Sequence, residues 1–126
     1  LGSQYNGIVR GSAPLVVSEP RHWFWAGSGV SPGERIPDLV RGEADGLTAG
    51  MPQPKAAEHV LLSASPFRYT PNRTPVQNTS LYRAPSGAWV FDAGTFGWTA
   101  ALGGAVRQHD PRIQKATVNL IRRLRA

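Results

Sequence analysis

Hydrophobic positions in this chain gather in short clusters set apart by glycine and proline, and only the last segment carries a longer period. Pro14-Leu15-Val16-Val17-Ser18 is an apolar, partly β-branched run closed by Pro20, the pattern of a buried strand. His59-Val60-Leu61-Leu62-Ser63-Ala64-Ser65, closed by Pro66, is a second. Between them, His22-Trp23-Phe24-Trp25 runs into the Gly27-Ser28-Gly29 turn, Pro32-Gly33 marks another turn, and Ile36–Val40 leads into the Gly-flanked stretch Arg41–Gly46. Residues 66–78, rich in Pro, Asn, Thr and Arg, read as an exposed loop. Thr79–Ala84 and Ala88–Ala93 flank Pro85-Ser86-Gly87, which predicts an antiparallel hairpin followed by a tight bend at Gly94. Asp110 as N-cap and Pro111 at the first helical position open a helix whose stripe is Ile113, Ala116, Thr117, Leu120, Ile121 and Leu124.

Composition narrows this to one loop-rich but packed domain. The 126 residues carry 40% apolar and 17% charged positions, with 14 glycines and 11 prolines, while four Trp, four Phe and three Tyr are too many for a chain that never packs. With no cysteine, disulfides, thiolate metal sites and Cys nucleophiles are excluded, and no apolar run approaches a membrane span. Lys and Arg outnumber Asp and Glu by 14 to 8, a net +6, which raises a nucleic-acid reading. The arginines are spread evenly through the loops, which speaks against it. Only Arg122, Arg123 and Arg125 cluster, at the end of the predicted helix, where they complement its dipole. Leu1-Gly2-Ser3 resembles a tag remnant, so residues 4–126 are read as a single domain that begins mid-protein.

No P-loop, GxGxxG or GxSxG motif occurs, and His22, His59 and His109 do not stand at metal-ligand spacing. Glu43 and Asp45 form the chemical candidate. Two residues apart in a Gly-flanked loop, they point to one side if the backbone is extended, where they can accept a proton, orient a water or bind a cation. The plainer reading makes Asp45-Gly46 a turn and pairs Glu43 with Arg41 or Arg35. Tyr82, Trp89 and Trp98 fit a core or a pocket wall, and the Thr95 hydroxyl fits a ligand contact or a turn hydrogen bond.

The run from Thr79 to Trp98 resembles the C-terminal region of the N,N-dimethylformamidase large (beta) subunit family. Three further segments agree in order: His22–Gly29, an aromatic run ending in Gly-x-Gly; Gly33–Asp45, with Ile-Pro-x-Leu-Val-x-Gly-Glu-x-Asp; and Arg112–Leu120, with Ala-Thr-x-Asn-Leu. The resemblance implies an α/β fold, this chain being the C-terminal portion of a class I glutamine amidotransferase-like domain, visible alone as short strands, a β-hairpin and a C-terminal helix. It implies hydrolysis of a small amide, with a mononuclear iron held by two Tyr and a Glu upstream of the matched segments, so that no cofactor is expected on this chain. On that reading Glu43 and Asp45 handle protons, and His22, Trp23, Tyr82, Thr95 and Trp98 contact substrate. The expected partners are the rest of the parent polypeptide and, through an open sheet edge, a second copy. The competing reading is a non-catalytic domain that binds carbohydrate or partners through Trp23, Trp25 and Trp98.

Overall fold

The structure, a computed structural model, describes residues 2–55, 58–103 and 109–126. It is mixed α/β, built mostly of strands in small sheets and closed by a C-terminal helix. Every strand pair among the described residues is antiparallel.

Two long strands dominate: β1 (Gln4–Val16) and β2 (Arg35–Gly46) pair from Gln4↔Gly46 to Val16↔Arg35. The sequence shows only the Pro14–Ser18 end of β1, and Arg41–Gly46 is strand rather than loop. Register shifts at three places along the pair explain the gap. Each bulge breaks the period-two alternation on which strand reading depends. Gly42, at φ +73, illustrates the device: it takes a left-handed conformation, and a Cβ there would meet the Phe96 ring at 2.8 Å.

The second strand candidate becomes β3 (Glu58–Leu61) and β4 (Ser65–Pro66). β3 pairs with β6 (Ser80–Arg83), which pairs with β7 (Trp89–Asp92), and β4 pairs with β5 (Val76–Gln77). The predicted hairpin is β6 and β7, and its turn is closed by Gly87 N–H donating to the Ala84 carbonyl at 2.8 Å. The predicted exposed loop is corrected at three positions: Phe67, Gln77 and Asn78 are buried. Gln77 and Asn78 repay their desolvation by hydrogen bonding. Gln77 Nε2 donates to the Ala93 carbonyl at 3.2 Å, Ser63 Oγ donates to Gln77 Oε1 at 3.0 Å, and Asn78 Nδ2 donates to the Ser63 carbonyl at 2.9 Å.

Phe24, Trp25, Phe91 and Trp98 form the centre of the core, with Phe24 stacked on Phe91 at 5.5 Å and edge-on to Trp25 at 5.0 Å. Helix α1 (Gly97–Leu102) delivers Trp98 to that cluster, and α2 (Pro111–Leu124) covers it. Asp110 caps α2 by accepting from Arg112 N–H at 2.9 Å. Asn119 donates to the carbonyls of Phe24 and Ala26, at 3.0 and 2.7 Å, fastening α2 to the aromatic turn Trp23–Trp25. The predicted stripe holds for Ile113, Ala116 and Leu120. It fails for Ile121 and Leu124, which are half exposed. Gly2 and Ser3, set aside above as a tag remnant, are buried, and Ser3 Oγ donates to Asp92 Oδ2. Among the described residues no helix is long and apolar enough to cross a membrane.

Candidate functional site

The site is built where β2 ends against the segment following β7. Ala44 forms a bridge with Thr95, and Asp45 N–H donates to the Gly94 carbonyl at 2.9 Å, so the two chain segments lie side by side. Gly94 makes this approach: at φ +74 its missing side chain would otherwise fall onto the Asn78 carbonyl. Ala44 is buried while Glu43 is exposed and Asp45 partly buried, the alternation a strand imposes. Glu43, Asp45 and Asp92 therefore line one hollow of about 280 Å³, together with Ala93, Gly94, Thr95 and Phe96.

The electrostatics are lopsided. Asp92 accepts from Gly94 N–H at 2.9 Å through Oδ1 and from Ser3 through Oδ2. Asp45 lies against it. Burial first, then the charge and hydrogen bond of Asp92 and the charge of Glu43, push the Asp45 carboxyl above its ordinary value. Its surroundings thus favour the protonated form of Asp45 more than water would, the property asked of a proton donor.

Among the expected site residues, Glu43, Asp45 and Thr95 are brought together; His22, Trp23, Tyr82 and Trp98 are not part of this hollow. The Thr95 hydroxyl is engaged by the chain itself, accepting from Arg41 N–H at 3.0 Å and donating to the Arg41 carbonyl at 3.1 Å. His22 Nδ1 accepts from Phe24 N–H at 3.2 Å as the cap of the aromatic turn. Its pKa is lowered, chiefly by burial and further by Arg123, against the opposing pull of Glu19 and Glu58. Trp23 is 5.6 Å from the Trp89 ring and 5.3 Å from the Arg123 guanidinium, which also lies 5.8 Å from Trp89. Tyr82 sits edge-on to His59, and Trp98, only 3% exposed, donates to Thr117 Oγ1 at 3.2 Å. The expected aromatic wall reduces to one ring, Phe96.

Asp92 and Ser3 were missed. Asp92 reads locally as the last residue of a hairpin strand, and nothing in its neighbours announces that the chain returns to Asp45. Among the described residues, no three of His, Asp and Glu converge as a metal site.

Fold and site together define a small, mainly antiparallel domain with a helix at its C-terminal end and an acidic hollow at the end of its longest strand pair. The family model described as N,N-dimethylformamidase beta subunit-like, C-terminal, matches residues 1–112, and the chain belongs to that family. Most of α2 lies beyond the matched span. No curated protein and no solved structure matches the chain.

Proposed function

We propose that this domain is the C-terminal part of an amidase-like hydrolase subunit and that its acidic hollow handles protons for amide hydrolysis at a site completed by upstream polypeptide. The observation that carries the reading is the convergence of Glu43, Asp45 and Asp92, from two separate strands, in a chain of this family. Glu43, exposed at the mouth, takes the proton of the attacking water. Asp45, whose proton affinity is raised by burial and by Asp92, gives a proton to the departing amine nitrogen. Water adds to the carbonyl carbon, the C–N bond breaks, and a carboxylic acid and an amine leave. The iron implied by the resemblance would polarise the carbonyl from its upstream Tyr, Tyr and Glu ligands; among the described residues of this chain no group of three His, Asp or Glu forms a metal site.

A class I glutamine amidotransferase-like parent would supply its parallel sheet from upstream residues, since the ladders here are antiparallel. Pairing with a second copy is proposed at β3 or β7, the short outer strands of their sheet. The non-catalytic reading has one observation in its favour, the partly exposed Trp23 beside Trp89 and Arg123. Trp25 and Trp98, its other two residues, are buried.

Glu43→Gln in the full parent protein tests the proposal. Turnover should fall about a hundredfold or more while the circular dichroism spectrum is unchanged. Activity within a few-fold of wild type would leave the non-catalytic reading ahead.

A further inference from the structure

A larger hollow, about 900 Å³, opens between the bulged stretch Arg10–Pro14 of β1 and the segment from Pro66 to Thr74. Arg10 N–H donates to the Arg68 carbonyl at 2.8 Å, which joins the two segments, and both arginines are exposed and line the hollow. Like charges so placed repel unless something neutralises them. No Asp or Glu lines the hollow, the nearby Asp38 carboxylate is engaged by the Ser12 hydroxyl at 2.7 Å, and the ion pairs found among the described residues both belong to Arg112. Arg10 Nε donates to the Tyr69 carbonyl at 3.2 Å, which leaves the two terminal nitrogens of its guanidinium as further donors.

The rest of the lining selects among anions. Pro14, Pro66 and Pro71 give the groove rigid apolar walls suited to an extended chain. A nucleic-acid strand would need rings on which bases stack, and the ring lining the groove, Phe67, is 1% exposed. We propose that this groove binds an extended acidic peptide segment of a partner protein, whose carboxylates are clamped by Arg10 and Arg68. The inference is independent of the amidase reading, since it uses none of the residues in the acidic hollow.

Fluorescence anisotropy of the 126-residue chain with a labelled peptide of alternating Glu and Pro tests it. The peptide should bind, its Lys-Pro counterpart should not, and raising the salt should weaken the complex. Arg68→Glu alters only an exposed side chain and should lower affinity at least about tenfold without shifting the melting temperature. Arg10→Lys keeps the charge but loses the planar fork, and should fall between wild type and Arg68→Glu. Absence of binding by the wild-type chain, equal affinity of Arg68→Glu, or tighter binding of inorganic phosphate or single-stranded DNA than of the Glu-Pro peptide would each overturn the proposal.

Discussion

Asp45 and Asp110 are both partly buried aspartates at the ends of secondary-structure elements, yet their proton affinities move in opposite directions. At Asp110, burial alone would raise the pKa, but the hydrogen bonds and charge of Arg112 prevail and lower it. Arg112 contacts Asp110 at 2.7 Å and Glu34 at 3.3 Å, a cation shared by two carboxylates at the start of α2. Asp45 has carboxylates for neighbours and no cation, and its pKa rises. Paired charge marks a place where the fold is fastened, and gathered like charge marks a place where it carries chemistry at some cost.

The largest effect should come from undermining the fastened end. Ile113 is fully buried on the inner face of α2, and Ile113→Ala should cost about 2–5 kcal/mol, read as a loss of denaturation midpoint. Asp110→Ala removes the cap and should cost about 1 kcal/mol by the same measurement. The contribution of Asp110 is present above the ordinary carboxyl pKa and lost as pH falls through its lower folded value, so the difference between wild type and Asp110→Ala should shrink in acid. Asp45→Asn should show the smallest effect and the opposite sign: a gain below about 1 kcal/mol at neutral pH, limited by solvent screening. The raised Asp45 pKa favours the folded state below the ordinary carboxyl range, an advantage lost as pH rises through the folded value. Melting temperatures of wild type and Asp45→Asn should therefore converge in acid. If Asp45→Asn destabilises at neutral pH instead, the contrast with Asp110 fails.

Sequence reading found the features that chemistry confines to a few neighbouring residues. The Asp110-Pro111 start of α2 and the Pro85-Ser86-Gly87 turn are local events, and both stand as read. Most of β1 and the end of β2 were hidden because their ladder tolerates bulges, which scatter apolar positions out of phase. The end of the helical stripe was misjudged for a different reason. Ile121 and Leu124 have the right period, but only the packing partner decides where a helix stops being covered. The Glu43 and Asp45 pair was legible from spacing, whereas Asp92 belongs with them only through long-range pairing of separate segments.

The arrangement of the four indoles also makes the protein report on itself by light. Trp25 and Trp98 lie in the dry centre, while Trp23 and Trp89 sit at the surface under the guanidinium of Arg123. Native emission is then the sum of a blue-shifted pair and a red-shifted pair, and a soluble quencher such as acrylamide should reach only the second. Loosening of the last turns of α2 would withdraw Arg123 and change the outer pair alone, whereas collapse of the aromatic centre would shift the inner pair, so one spectrum distinguishes fraying from unfolding.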